Sequence, residues 1–225
     1  RGDTPTFLEV DPTHTSAEFR AYVGSALKEL QKSETSIGRL TFASIRDGRV
    51  LIDELEDLTC WDFERVRKDL PDEGLEAADW VKLHDGRTHA ARVISEELDG
   101  YMWQNRIYVS RGQTARGLAS TLVHEVNHVI NRSEVGYYDD LPTSAFVHEY
   151  RAFHAETLFD PKPWKGVDLT ERVITAYELD RAKIPASVLA HPVTPRLLPD
   201  ATSWRLRAAE DDEPDDDAAC PGQPR

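Results

Sequence analysis

Apolar positions recur at steps of three and four residues over several stretches of this chain, and that period predicts α-helices. The predicted helices cover residues 16–33, 60–70, 114–132, 144–159 and 168–183. Each would present one apolar face, which must be buried against another helix or a sheet. The pattern therefore predicts a folded core with a large helical content.

Shorter segments rich in β-branched and aromatic residues predict strands between these helices. Two Asp-Gly pairs each separate two such segments, and this dipeptide is a strong signal for a β-hairpin. The hairpin segments are residues 39–45, 49–55, 80–84 and 88–95. Residues 102–110 are a further predicted strand, directly before the helix at 114–132. These elements predict an α+β fold with a twisted, mostly antiparallel sheet.

The two ends of the chain differ in composition from its middle. Residues 1–13 are predicted to form an extended lead-in with a strand at 6–10, residues 14–207 one domain, and residues 208–225 a disordered acidic tail. The formal net charge is −14, and residues 210–217 alone carry seven acidic side chains. An acidic chain repels phosphate backbones and anionic lipids, so we expect no nucleic-acid partner.

The sequence contains no apolar run of the ~18 residues that a membrane-spanning helix needs. It begins at Arg1 without a signal-like apolar segment, so we expect a soluble protein that was processed or trimmed at its start. Its two cysteines, Cys60 and Cys220, are too few for a disulfide framework or a cysteine-based zinc site. Compartment and oligomeric state stay open.

The helix at 114–132 carries the clearest chemical pattern, His124-Glu125-Val126-Asn127-His128. On a helix this spacing places the two imidazoles on one face, one turn apart, where they can bind one metal ion. H-E-x-x-H is a zinc-metalloprotease pattern. A catalytic zinc site needs three protein ligands and one open position, so a third ligand is expected further along the chain.

The helix at 144–159 carries two carboxylates, Glu149 and Glu156, on an otherwise apolar face. Burying a carboxylate is costly unless it is paired or bound to a metal, so this helix is expected to complete the site. Twenty residues separate His128 from Glu149, and Glu156 is the alternative third ligand. If Glu149 binds, Glu156 would accept a hydrogen bond from a ligand histidine or from Arg151 or Arg132.

Over residues 107–159 the chain resembles the gluzincins, the H-E-x-x-H metallopeptidases in which a glutamate on a second, downstream helix completes the site. Glu149 begins Glu-Tyr-Arg-Ala, which is similar to the E-x-x-A of such helices and favours Glu149 over Glu156. The resemblance implies a zincin-like fold, one catalytic Zn²⁺, and Glu125 as the general base. The zinc ligands that it implies are His124, His128 and Glu149.

The resemblance also implies a group that stabilises the oxyanion beside the metal, since gluzincins often use a tyrosine or histidine there. The candidates are Tyr137, Tyr138 and His154. His148 and His154 are otherwise expected at the surface or beside the ligands, because on a helical wheel each points in a different direction from Glu149. His84 and His89 are expected at the surface.

The function implied is a zinc-dependent peptidase acting on a peptide or protein substrate. The second histidine is not followed by the metzincin pattern, and the amine-anchoring motif of gluzincin aminopeptidases is absent, which favours a specific endopeptidase of the processing, effector or toxin type. The alternative is a catalytically inactive zincin-like binding or regulatory protein. Glu125 argues against that alternative, because an inactive relative has no need of a general base.

Overall fold

The computed structural model describes residues 16–85, 88–136 and 141–193. The predicted lead-in with its strand at 6–10, the acidic tail and both tyrosines at 137 and 138 lie outside these residues. The described residues form mixed α+β structure and divide into two compact units. The first unit consists of residues 16–29, 44–85 and 88–121, and the second of residues 30–43, 122–136 and 141–193. The coarse α+β prediction is confirmed.

The sheet belongs to the first unit and has three strands in the order β1-β3-β2. They are β1 Leu51–Glu54, β2 Gly100–Trp103 and β3 Arg106–Val109. β1 runs parallel to β3, with Ile52 opposite Ile107, whereas β2 runs antiparallel to β3. The sheet is thus mixed, and the prediction of a mostly antiparallel sheet was wrong. The single strand predicted at 102–110 is two strands, joined where Gln104 takes a positive φ of 55°.

The first predicted hairpin is wrong, because residues 39–45 belong to a helix, α2 Ser36–Arg46. Gly48, with φ of 69°, ends α2 and does not form a hairpin turn. The amide of Arg49 donates to the carbonyl of Ser44 at 3.0 Å, and that of Gly48 donates to Ile45 at 3.1 Å. This pair of bonds is the Schellman motif of helix ends. A glycine with positive φ serves either structure, so Asp-Gly alone could not distinguish them.

The second predicted hairpin is also wrong. Its first segment lies in a 3-10 helix, Ala77–Asp85, and its second in α4 His89–Glu97. Thr88 caps α4 by accepting a hydrogen bond from the amide of Ala91 at 3.4 Å. α4 buries Ala90, Ala91, Val93 and Ile94 on one face. A helical period over so short a segment is easily mistaken for strand alternation.

Two predicted helices of the first unit are confirmed as α1 Ala17–Gln31 and α3 Cys60–Asp69. Ser16 caps α1, since its hydroxyl accepts from the amide of Phe19 at 3.0 Å. The core of this unit packs apolar side chains of α3, α4 and the 3-10 segment against β3. Its largest buried members are Leu55, Leu58, Phe63, Leu83, Ile94 and Tyr108.

The second unit consists mainly of helices. They are α5 Ala115–Val135, whose first turns belong to the other unit, α6 Pro142–Phe159, α7 Leu169–Ala176 and α8 Ala186–Ala190. The two long predicted helices are confirmed, and α5 continues by three residues beyond the predicted Arg132. The core residues are Val135, Phe146, Val147, Val173, Ile184 and Val188. This core holds α6 against α7.

The helix predicted at 168–183 is interrupted. α7 ends at Ala176 and a short 3-10 turn follows at Arg181–Lys183. Glu178 has a positive φ of 50°, and the amide of Leu179 donates to the carbonyl of Ile174 at 3.0 Å. This is a second Schellman ending, with glutamate where glycine is usual. The sequence carries no glycine signal at this end, which explains why the break was missed.

Within the described part of the chain, none of the helices combines the length and apolar character that crossing a bilayer requires.

Candidate metal centre

α5 positions both histidines of the predicted site. Thr114 caps the helix, because its hydroxyl accepts a hydrogen bond from the amide of Gly117 at 3.0 Å. Leu122, Val123 and Val126 are fully buried around the histidines. The rings of His124 and His128 lie one turn apart, with centroids 5.0 Å from each other. Both side chains are buried, at 9% and 5% exposure respectively.

α6 brings Glu149 between these two rings. Its Oε2 atom lies 3.3 Å from Nε2 of His124, and its Oε1 atom lies 3.6 Å from Nε2 of His128. One donor atom from each of the three residues can be chosen so that all lie within 4.8 Å of one another. The structure therefore brings together the three side chains that the sequence predicted as ligands.

These separations suit one small cation. Zinc binds imidazole nitrogen and carboxylate oxygen at about 2.1 Å in tetrahedral geometry, which puts neighbouring donor atoms about 3.4 Å apart. The two carboxylate-to-imidazole distances, 3.3 and 3.6 Å, lie on either side of that value. A group of two imidazoles and one carboxylate is also a donor set that zinc accepts in catalytic sites. The buried group could hold a metal ion.

The hydrogen bonding of Glu149 supports the same fit. Its Oε2 atom is fully buried, and its approach to Nε2 of His124 at 3.3 Å does not have hydrogen-bond geometry. A buried carboxylate oxygen without a well-formed hydrogen bond is energetically costly. A cation held jointly by this oxygen and the two imidazole nitrogens would remove that cost.

Glu156 lies on the far side of His124. Its Oε1 atom is 2.7 Å from Nδ1 of that ring, so the two nitrogens of His124 face two different carboxylates. When Nδ1 donates its proton to Glu156, the lone pair of Nε2 is left pointing at the donor group. Glu149 faces both histidines and completes the group that could hold a metal ion, and it is the glutamate that the sequence favoured over Glu156. Arg151, one of the two arginines expected as possible partners of Glu156, bonds instead to Asn131 at 2.6 Å and to Glu134.

Burial and neighbouring charges shift the pKa values of the three donors. Burial lowers the pKa of His128 to about 3, so this imidazole is neutral at pH 7. Burial would raise the pKa of Glu149, but the two imidazoles and the hydroxyl of Tyr177 lower it to about 2. Burial would lower the pKa of His124, but the carboxylates of Glu149 and Glu156 raise it well above its usual value. A metal must displace the proton of His124.

Glu125 is buried beside the ligands, at 7% exposure. Burial, together with the charges of Glu149 and Glu156, raises the pKa of its carboxyl to about 7 against the opposing effect of His124. A carboxyl with a pKa near the working pH can both accept and release a proton. That property is what a general base in proton transfer needs.

The remaining histidines occupy different places. His148 is fully buried and its ring lies 6.0 Å from that of His128, while its Nε2 is 3.0 Å from the carbonyl of Gly136. A surface position for His148 is therefore wrong, and a position beside the ligands is right. His154 packs on the ring of Tyr150 at 6.4 Å. His89 is exposed, as expected, and the side chain of His84 lies outside the described residues.

Two residues that sequence reasoning did not assign to the site lie beside its ligands. The ring of Phe153 meets His124 edge to face at 4.7 Å. The phenol of Tyr177 is one of the groups that lower the pKa of Glu149. No local motif marks Tyr177 as a neighbour of Glu149. Of the predicted oxyanion candidates, only His154 is described.

Chemically, the arrangement offers a buried group that could hold a metal ion, a carboxyl that can exchange protons, and a hydrogen-bonded support, Glu156, behind one of the three donors. No protein-family model, curated protein or solved structure matches this chain, so the interpretation of the site depends on its own geometry.

Proposed function

We propose that this protein is a zinc-dependent peptidase of the gluzincin type. The observation that carries the proposal is the convergence of His124, His128 and Glu149, with Glu125 buried next to them. Two imidazoles and one carboxylate leave the open coordination position that distinguishes catalytic from structural zinc. The H-E-x-x-H pattern on α5 and the carboxylate from α6 agree with that assignment.

The proposed reaction is hydrolysis of a peptide bond. A zinc ion in this site supplies Lewis-acid chemistry, which polarises the carbonyl and makes water more acidic. Glu125 takes one proton from the attacking water as the new C–O bond forms. It then delivers this proton to the amine nitrogen as the C–N bond breaks, so no proton is gained or lost overall.

Glu156 and His124 form the supporting part of the site. The carboxylate at 2.7 Å from Nδ1 holds the ring in one orientation and one tautomer. A carboxylate behind a ligand histidine also makes the imidazole more basic, and loss of such partners typically weakens metal binding ~10- to 100-fold. We therefore assign Glu156 to orienting His124 and not to binding the metal.

A second candidate is a metal-binding protein without catalytic activity. It is favoured by the burial of the site, since the three donors and Glu125 are each no more than 9% exposed. A substrate reaches donors that are so deeply buried less easily than exposed ones. Glu125 argues the other way, because a purely structural site has no use for a buried carboxyl beside its ligands.

The first experiment measures the metal content of the full chain. We expect about one zinc per chain in the wild type and strong loss in His128→Ala and Glu149→Gln. His154→Ala, on the same helix as Glu149 but outside the donor group, is the matched control and should keep its zinc. Glu156→Gln should bind zinc more weakly but still bind it. Absence of zinc from the wild type after reconstitution would contradict the proposal.

The second experiment separates the two candidate functions. The zinc-loaded protein is incubated with a mixture of peptides, and new termini are identified by mass spectrometry. The peptidase predicts cleavage that Glu125→Gln abolishes while its zinc content stays at the wild-type level. Retention of zinc with no cleavage by the wild type would favour the non-catalytic binding protein.

A further inference from the structure

One arginine joins the two helices that carry the donor group. Arg151 lies on α6, two residues after Glu149, and its guanidinium reaches two residues of α5. Its Nε atom donates to Oδ1 of Asn131 at 2.6 Å, and its Nη2 atom donates to Oε2 of Glu134. Asn131 follows His128 by three residues, so it lies about one turn further along the same side of α5. The contact between the helices is therefore made beside the donor group.

All three nitrogens of this guanidinium bond to protein groups. The remaining one, Nη1, donates to the carbonyl of Val193 at 2.9 Å. The side chain of Arg151 is only 12% exposed, and Asn131 is fully buried. The side-chain amide of Asn131 donates in turn to Oδ1 of Asn127 at 2.9 Å, which leaves its own oxygen directed at Arg151. Each of these bonds has a preferred direction, so the network favours one arrangement of α5 and α6.

A metal site requires a precise arrangement of the two helices. Donor distances in such a site stay within about 0.2 Å of their ideal values. A slip of α6 by a single residue would move Glu149 by ~1.5 Å along the helix axis. Val135 of α5 shares an apolar core with Phe146 and Val147 of α6, but apolar contact is non-directional. The rigid fork of N–H donors on a guanidinium supplies the missing direction.

We propose that Arg151 is a positioning residue of the metal centre, which fixes the register of α6 against α5 through Asn131 and Glu134 and so holds Glu149 between the two imidazoles. The proposal rests on the metal site of the proposed function, but not on peptidase activity. Arg151 is a cation and donates no lone pair to a metal, so its contribution to metal binding is indirect.

The charge of Arg151 separates positioning from simple electrostatics. A positive charge close to the site repels a metal cation, so removal of that charge alone would strengthen metal binding. Loss of the helix register would weaken it. The sign of the change in zinc affinity therefore distinguishes the two effects.

The test compares Arg151→Met, Arg151→Lys and Val173→Ala with the wild type in the full chain. The methionine variant removes the charge and the fork, whereas the lysine variant keeps the charge and lacks the fork. Val173→Ala is the matched control for stability, because Val173 is fully buried in the core of the same unit and belongs to α7. Zinc affinity is measured by competition with a chromophoric chelator. The visible spectrum of bound Co²⁺ and metal-free thermal unfolding are recorded for each protein.

We expect zinc affinity to fall ~10-fold in Arg151→Met and by a smaller factor in Arg151→Lys. Val173→Ala should unfold at a lower temperature but keep the wild-type zinc affinity. The Co²⁺ spectrum should change in both Arg151 variants and not in Val173→Ala, because it reports the geometry of the donors and not global stability.

Zinc affinity in Arg151→Met that equals or exceeds the wild-type value would overturn the proposal. So would an equal loss of affinity in Val173→Ala, since Arg151 would then act through stability alone. If Arg151→Met does not fold, the lysine variant decides, and a wild-type affinity and Co²⁺ spectrum in folded Arg151→Lys would overturn the proposal.

The outcomes for this residue and for the proposed function differ. If the wild type binds zinc and Arg151→Met binds it equally well, only the role of Arg151 fails. If the wild type binds no zinc, both fail. If Arg151→Met weakens zinc binding but no peptide is cleaved by the wild type, the positioning role stands and the peptidase proposal fails.

Discussion

Both units bury carboxylates, and Asp62 in the first unit and Glu149 in the second differ in how fully they are hydrogen-bonded. In the first unit, Asp62 is 5% exposed, and both of its oxygens accept hydrogen bonds. Oδ2 accepts from the hydroxyls of Tyr108 at 2.5 Å and Thr59 at 2.8 Å, and Oδ1 accepts from Arg65 at 3.3 Å. The hydrogen bonding of Asp62 is therefore complete, and it links α3 to β3.

In the second unit, Glu149 is buried to a similar degree but is only partly satisfied. One of its oxygens accepts no hydrogen bond from the described residues, and both oxygens face imidazole nitrogens. A structural network satisfies its own buried groups, whereas a binding site leaves some of them for a ligand. The comparison supports a stabilising role for Asp62 and the metal-binding role that we propose for Glu149.

The largest expected effect is the response to zinc. At about 100 times its dissociation constant, zinc should raise the free energy of unfolding of the wild type by about 2.7 kcal/mol. Glu149→Gln should show no such increase, because it loses a donor. Asp62→Asn should show the full increase. The measurement is denaturant unfolding with and without zinc, and an increase that persists in Glu149→Gln would break the comparison.

The second effect concerns the metal-free protein. Asp62→Asn should lower the free energy of unfolding by about 2 kcal/mol, because it leaves Tyr108, Thr59 and Arg65 with poorer acceptors. Glu149→Gln should cost less than half as much, since one carboxylate oxygen makes no hydrogen bond and His124 keeps Glu156 as a partner. Urea unfolding of both variants after metal removal checks the order. A larger loss in Glu149→Gln would contradict it.

The third effect is pH-dependent and involves His148. Burial lowers the pKa of His148 to about 4, whereas an unfolded histidine titrates near pH 6.5. Between these two pKa values, His148 therefore binds a proton in the unfolded chain but not in the folded protein. The resulting stability is complete above about pH 6.5 and is lost as the pH falls toward 4.

The variant that tests this is His148→Gln, whose amide can still donate to the carbonyl of Gly136 but does not titrate. Between pH 6.5 and 4, the free energy of unfolding should fall less steeply in the metal-free variant than in the metal-free wild type. The difference in slope should be up to about 1.4 kcal/mol per pH unit. Part of the remaining pH dependence reflects His128, whose pKa is also lowered by burial. Parallel pH profiles for the two proteins would show that His148 is not protected from protons by burial.

The smallest effect is expected at the end of α7. Glu178 has a φ of 50°, which strains a side chain with a Cβ, whereas Gly48 occupies the corresponding place at the end of α2 with a φ of 69°. Glu178→Gly should therefore stabilise the protein by about 0.5 to 1 kcal/mol, as measured by thermal unfolding. Gly48→Ala should destabilise it by a comparable amount. A loss of stability in Glu178→Gly would show that the glutamate side chain stabilises this turn.

The elements that could be predicted from sequence are those whose signal is local and long. α1, α5 and α6 each bury one face through several turns, so the period of their apolar residues is unambiguous. The hairpins failed because Asp47-Gly48 ends a helix as readily as it forms a β-turn. The parallel pairing of β1 with β3 joins segments more than 50 residues apart, with Leu51 opposite Arg106, and has no local signal.

For the candidate site, the sequence by itself determined that His124 and His128 share one helical face with Glu125 between them. That relation follows from the helix period alone. Only the tertiary structure decided that Glu149 faces both imidazoles while Glu156 lies behind one, and that Tyr177, 28 positions further on, helps to lower the pKa of Glu149. These relations depend on how α6 and α7 pack and where α7 ends. They depend on distances between elements, which the period of a single helix does not encode.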